Sequence, residues 1–166
     1  SPVISKFDKQ NTKMRYSLLF AIAILVFTAC KKDKYTSAPQ IEYKSINPNT
    51  AFSNFSCTFQ DIPVLTIHVT DAEGDLGFID GGDTSYVFIK NLLNNELDSV
   101  KLPDIRSAAV KNFSADIDIN LCDFLATSNR PRPKTDTLYF EVYVRDFAKQ
   151  VSNTIRTADP VYYISP

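Results

Sequence analysis

Leu138-Tyr139-Phe140-Glu141-Val142-Tyr143-Val144-Arg145 alternates between two kinds of residue. Successive side chains of an extended strand point to opposite faces, so Leu138, Phe140, Val142 and Val144 share one face. Tyr139, Glu141, Tyr143 and Arg145 share the other. The same period of two sets Leu65, Ile67 and Val69 against Thr66, His68 and Thr70. It sets Phe113, Ala115, Ile117 and Ile119 against Ser114, Asp116, Asp118 and Asn120. Each run predicts a strand with one face in a core and one in water.

Weaker strands fit residues 41–46, 84–92, 97–102, 151–157 and 161–164, and residues 121–126 fit one helical turn. Pro48, Pro103, Pro131, Pro133 and Pro160 fall between the runs, where a missing N–H does least harm. Twelve Phe and eight Tyr against one Met and no Trp also favour strands. No long amphipathic segment is present to serve as a crossover helix, which argues against α/β folds. Seven or eight short strands in one domain predict an all-β, antiparallel β-sandwich.

The N-terminal part reads differently. After Lys13, Met14 and Arg15, residues 16–29 are apolar apart from Ser17 and Thr28. A bilayer core needs about 20 helical residues, so this segment is short for a span and right for a signal peptide. It ends in Phe27-Thr28-Ala29-Cys30, followed by the polar Lys31-Lys32-Asp33-Lys34. Small residues before a cysteine, directly after an apolar run, resemble the lipobox of bacterial lipoproteins, with Phe27 where Leu is usual. The resemblance implies cleavage before Cys30, lipidation of that cysteine and anchoring to a membrane. Residues 1–13 add nothing a signal needs and are set aside as an over-extended start or an expression remnant. Residues 14–29 are then the signal, 30–40 the lipidated cysteine and a polar tether, and 41–166 the β domain.

Removing residues 1–29 leaves 14 basic and 18 acidic residues, a net charge of −4. Such a surface does not attract nucleic acid, whose phosphates demand a basic face. Cys57 and Cys122 remain after the lipidated cysteine. An exported compartment permits a disulfide between them, and their spacing does not require one.

The four glycines all lie between Gly74 and Gly82, in the stretch Asp71-Ala72-Glu73-Gly74-Asp75-Leu76-Gly77 and the following Asp80, Gly81, Gly82 and Asp83. Alternate carboxylates with glycines for tight turning are how a chain wraps oxygens around Ca²⁺. An EF-hand is excluded, since counting from Asp71 puts Leu76 where Gly belongs and Gly82 where a bidentate Glu belongs. The loop more closely resembles the Asp-x-Asp-Gly-Asp-x-Gly turn of cadherin-like and other immunoglobulin-like extracellular domains. The run from Tyr139 through Asp146-Phe147-Ala148-Lys149-Gln150-Val151-Ser152-Asn153 to Ile155 is similar to their last hairpin, with Lys149-Gln150 replacing a Gly-Asn turn. Together with the signal, these features resemble small outer-membrane lipoproteins of the Bacteroidetes type. The resemblance implies an immunoglobulin-like sandwich at the outer membrane or cell surface, and no catalytic activity. It makes Asp71, Glu73, Asp75 and Asp146 the candidate Ca²⁺ ligands. The competing reading is an acidic turn that binds nothing, since Asp and Gly are also common for turn geometry. Asp80 and Asp83 are expected to be solvated.

Other residues carry less. His68, the single histidine, lies on a polar strand face without a Ser or Cys motif beside it, so no hydrolytic triad is expected. One His and scattered Cys do not make a structural zinc site. Asp116 and Asp118 share a strand face and are read as keeping it soluble rather than as a glycosidase pair. Tyr139, Tyr143 and Tyr86 could stack on sugar rings, although cross-strand packing beside Glu141 and Arg145 explains them as well. Arg130, Arg132 and Lys134, alternating with Pro131 and Pro133, are read as a stiff, solvated connection. The expectation is a lipid-anchored, non-catalytic binding or adhesion module, its partner a glycan or another envelope protein. The alternative is a structural subunit that pairs by strand addition.

Overall fold

The computed structural model describes residues 35–54, 62–77, 84–102 and 111–166. These residues belong to a compact unit running from Lys34 to Pro166. They form β1 (Gln40–Asn47), β2 (Thr50–Phe52), β3 (Val64–Asp71), β4 (Tyr86–Asn91) and β5 (Leu97–Lys101). There follow β6 (Phe113–Asn120), β7 (Lys134–Leu138), β8 (Phe140–Arg145), β9 (Ile155–Arg156) and β10 (Val161–Ser165). The expected helical turn is a single 3₁₀ turn, Cys122–Phe124.

The strands join in three sheets, ordered β1-β3-β6, β2-β10-β7 and β5-β4-β8-β9. The named pairings are antiparallel except β2 with β10. The three strong alternations appear as predicted. In β3, Leu65, Ile67 and Val69 are fully buried, and in β8 so are Phe140, Val142 and Val144. All three sheets feed one apolar core, through Leu65 and Ile67, Leu138 and Val161, and Ile89 and Phe140. Each such side chain contributes about 1.5–3 kcal/mol by leaving water.

Three expectations need correction. Residues 138–145 are not one strand. The chain changes sheet at Tyr139, so Leu138 pairs with Val161 while Phe140 pairs with Asn91. The carbonyl of Tyr139 leaves both ladders to accept from the N–H of Leu92. The expected strand 151–157 shrinks to Ile155–Arg156 plus one bridge between Arg145 and Val151. There side-chain bonds from Ser152 and Asn153 accompany the backbone bond from the Ser152 N–H to the Val144 carbonyl. Ser152 Oγ accepts from the N–H of Val144, and the Asn153 amide bonds both the N–H and the carbonyl of Ile41. Finally, the 129–133 connection is exposed as expected, but it does more than connect, because Arg130 and Lys134 at its ends engage the buried Asp136.

Cys122 is disulfide-bonded. Cys57, Cys30, the apolar run 14–29, and Asp80 and Asp83 lie outside the described residues. No helix among the described residues is long and apolar enough to cross a membrane.

Candidate metal centre

The alternation that buries the core does not stop at the core. In β3 it runs from Leu65, Ile67 and Val69 to Asp71, and beyond β8 from Val142 and Val144 to Asp146. In β7 it puts Asp136 in phase with Leu138. Three aspartates therefore occupy inward positions. Asp71 and Asp136 are 0% exposed and Asp146 is 2% exposed. A buried carboxylate must find a cation or donors, or give up its charge.

Asp136 finds them within the chain. Ser128 donates to it through its N–H (2.9 Å) and its hydroxyl (2.6 Å). Arg130 Nη2 lies 2.7 Å from Oδ1 and Lys134 Nζ 3.6 Å from Oδ2. Burial acts to raise its pKa, but these donors and charges outweigh it and hold the carboxyl well below the usual range.

Asp71 and Asp146 find less. Asp71 Oδ1 accepts from the N–H groups of Glu73 and Gly74, closing a tight turn in which Gly74 takes φ 69°. Asp146 Oδ1 accepts from the N–H of Gln150 at 2.7 Å. Each keeps its second oxygen, Oδ2, buried and without a partner, and Asp75 Oδ1 is in the same condition. Among the described residues the other unpartnered buried side-chain oxygens are the neutral hydroxyls of Ser53 and Ser165. Asp71, Asp75 and Asp146 each turn one carboxylate oxygen to a common point, all within 4.8 Å of one another. Burial is the main cause that raises the pKa of Asp71, against the Gly74 N–H and with the charge of Asp75 adding to it. Asp146 is pushed up to about 6 by burial, opposed by the Gln150 N–H and reinforced by the charges of Asp75, Asp71 and Glu73. Among the described residues no cation answers these charges, in contrast to Asp136.

The loops are tied together at this point. The N–H of Phe147 donates to the carbonyl of Asp75 at 3.0 Å, and the N–H of Ser85 to that of Gly77 at 2.8 Å. Of the four ligands expected from sequence, three converge. Glu73 does not, since it is exposed and accepts from Ser37 Oγ at 3.0 Å. That bond, with Ala72 N–H to the carbonyl of Thr36 (3.1 Å), docks the end of the tether onto the loop.

The turn after β8 puts Lys149 at φ 66°, a left-handed conformation that costs a residue with a Cβ about 1–2 kcal/mol. Glycine lacks that penalty, although its freer unfolded chain returns part of the gain. Lys149→Gly is therefore expected to raise stability by about 0.5–1 kcal/mol in urea unfolding. A loss would mean that the lysine side chain itself holds the turn.

Sequence reading passed over one constellation. Pairing of β3 with β6 sets His68 opposite Asp116 and Thr70 opposite Ser114. His68 Nδ1 lies 2.6 Å from Asp116 Oδ1, and Nε2 lies 3.2 Å from Ser114 Oγ. The order is that of a serine–histidine–aspartate triad, but the setting is a solvated sheet face with the Asp116 side chain 58% exposed. A triad also needs oxyanion donors and a water-poor pocket. The groove of about 370 Å³ between β5 and β6, floored by Val87, Ile117, Ile119 and Phe124, includes none of the three residues. Ser114→Ala is accordingly expected to leave hydrolysis of an activated ester such as p-nitrophenyl acetate at the wild-type rate. A tenfold loss would make the triad functional.

Tyr143 stacks on Phe88, with ring centroids 4.7 Å apart and planes 7° apart. The guanidinium of Arg145 lies 4.9 Å from the Phe88 ring and that of Arg156 4.9 Å from the Tyr139 ring. The tyrosines thus pack across strands.

The fold and the site define an all-β domain with a buried, uncompensated acidic cluster at the ends of β3 and β8. No family model matches the chain, and no curated protein or solved structure is found to match it.

Proposed function

We propose that the chain is a lipid-anchored, non-catalytic binding module of the bacterial envelope. Its immunoglobulin-like sandwich would be stiffened by one Ca²⁺ held by Asp71, Asp75 and Asp146. The observation that carries the reading is the convergence of three carboxylates, each of which also keeps one buried oxygen without a partner, two of them on fully or nearly fully buried residues. An all-oxygen donor set selects a hard cation over zinc, which prefers nitrogen and sulfur. Calcium–oxygen bonds of about 2.3–2.6 Å let opposite ligands stand roughly 5 Å apart, which suits separations of up to 4.8 Å. Magnesium would draw its ligands closer and sheds water reluctantly. Chemically the site binds and cross-links. It joins the β3–β4 loop to the turn after β8 and offers no nucleophile.

The envelope address rests on the lipobox-like Thr28-Ala29-Cys30 after the apolar run. Titration of the metal-free Lys34–Pro166 unit with calcium chloride by calorimetry tests the site. One binding event that disappears in Asp75→Ala supports the reading, and no heat at millimolar calcium rejects it. Processing is tested separately, since Cys30→Ser should abolish membrane retention and labelling with a palmitate analogue.

A specific observation also favours the structural-subunit reading. All five residues of edge strand β5 are exposed, beside the groove that separates it from β6. A partner strand could add there. Co-purification of a second envelope protein, lost when Ser99 is replaced by proline, would support it.

A further inference from the structure

The charges of the domain are segregated between two sheet faces. The outward face of β1-β3-β6 carries Glu42, Asp116 and Asp118, with the exposed Lys44 at the β1 bulge as a basic residue beside them. The outward face of β5-β4-β8-β9 carries Lys90, Lys101, Arg145 and Arg156 against Glu141. It is a basic face on a domain whose residues 30–166 sum to −4. Its arginines are held in place. Arg145 lies 4.9 Å from the Phe88 ring and 5.8 Å from that of Tyr86, and Arg156 lies over Tyr139. Among the described residues neither arginine forms an ion pair with a carboxylate. A guanidinium held over an aromatic ring, with no carboxylate partner among the described residues, has N–H donors for an outside acceptor, and its fork matches a carboxylate or sulfate. The side-chain entropy such a contact usually costs is already spent in the fold.

We propose that this face binds an anionic polysaccharide, with carboxylate or sulfate groups received by Arg145 and Arg156. The inference rests on reading the chain as a binding module and names the ligand class. Phe88 and Tyr143 each use one ring face in stacking on the other, which reduces the aromatic surface left for a neutral sugar. The sheet offers charged edges instead. Polymer charge density separates the anionic candidates. Double-stranded DNA carries one charge per about 1.7 Å and is repelled at a distance by a domain of net charge −4. A polysaccharide with one charge per sugar or two meets a small basic patch on better terms. A lipid surface would call for apolar side chains that insert. The exposed apolar residues bordering this face, Leu97 and Val151, sit at its margins.

The test uses the Lys34–Pro166 unit, which is compact and has its own core. Affinity electrophoresis at low salt compares polygalacturonate with dextran, a neutral polymer, and calorimetry quantifies the retarded pair. Polygalacturonate is expected to bind, with affinity falling steeply as salt rises. Arg145→Met with Arg156→Met keeps the packing stems and is expected to weaken binding at least tenfold, with the melting temperature within a few degrees. Should that double variant misfold, Arg156→Gln, on the short β9, is expected to weaken binding about threefold. No binding of polygalacturonate, equal binding of dextran, or unchanged binding in a folded arginine variant would overturn the proposal. Binding confined to phosphatidylserine vesicles would overturn it in favour of a membrane. Calcium-induced melting shifts on the same samples keep the two readings apart. A shift without polygalacturonate binding removes only the anion-binding face, and binding without a shift removes only the metal site.

Discussion

Asp146→Asn is expected to stabilise the metal-free domain and to abolish its response to calcium. Most substitutions of a buried residue destabilise, so the sign is diagnostic. The carboxyl of Asp146 is 2% exposed and its pKa is pushed up to about 6, first by burial, against the Gln150 N–H, and then by the charges of Asp75, Asp71 and Glu73. The folded state therefore binds this proton more tightly than the unfolded state, whose carboxyl titrates near 4. Between roughly pH 4 and 6 the native protein holds the proton and the unfolded chain has lost it, so stability falls as pH rises through that window. Above about 6 the loss is complete and amounts to roughly 3 kcal/mol. Asparagine removes the charge and keeps an oxygen for the Gln150 N–H. Its amide can also donate to the unpartnered oxygens of Asp71 and Asp75. In EDTA at pH 7 the variant should gain about 1–3 kcal/mol, and the wild type should melt higher at pH 5 than at pH 7. Calcium reverses both comparisons. At 100 times its Kd the ion stabilises the wild type by about 2.7 kcal/mol, a rise of roughly ten degrees in melting temperature. It also removes the advantage of low pH, because ion and proton compete for the same oxygens. Melting curves at pH 5 and 7, in EDTA and in millimolar calcium, read all four values. A variant less stable than wild type in EDTA would mean that the cluster is satisfied without an ion.

Much of this site was legible in the sequence, although part of the signal lay in phase rather than in motif. Through resemblance, the acidic loop and the Asp146 hairpin pointed to the region where three carboxylates converge. Strand phase adds what resemblance did not. Counting by twos from Ile67 and Val142 lands on Asp71 and Asp146 and marks both as inward-facing. Past Asp71 the count reaches Glu73 and Asp75 alike and no longer means anything, because the strand has ended and the loop's path is set by Gly74 and Gly77 at positive φ, so only the folded chain separates Asp75 from Glu73. The sheet change at Tyr139 left no trace in the sequence. Asp136, Leu138, Phe140 and Val142 keep phase straight through it, and only the third dimension decides that β7 pairs with β10 and β8 with β4. The His68–Ser114 contact was hidden for the same reason. It depends on the register between strands 46 residues apart, and alternation fixes faces without fixing register.

The largest loss of stability is expected at Asp136, which matches Asp71 and Asp146 in burial and differs in what surrounds it. Asp136→Ala is expected to cost about 3–5 kcal/mol at pH 7, because removing one partner of a buried ion pair strands the other. The Lys134 side chain is 7% exposed, with Nζ donating to the Ser128 carbonyl, and it would lose its counter-charge. The N–H and hydroxyl of Ser128 would lose their acceptor. Arg130, 62% exposed at its side chain, can turn to water and adds little. The pH dependence follows with the sign opposite to that of Asp146. Burial would raise the pKa of Asp136, but the donors from Ser128, the Arg130 guanidinium and the Lys134 ammonium depress it below the unfolded value. Its contribution is therefore complete above about pH 4 and is lost as pH falls through the unfolded pKa toward the folded one. Urea unfolding at pH 7 and pH 3 should show the difference between wild type and Asp136→Ala shrinking in acid. Asp136→Asn, which keeps the shape and accepts one fewer charge-assisted bond, should fall between the two. The calcium response should survive in every Asp136 variant that folds, because Asp136 is not among the carboxylates that converge with Asp71, Asp75 and Asp146. Loss of that response in a folded Asp136 variant would mean that the two acidic sites are coupled through β8, and that the comparison between them is not independent.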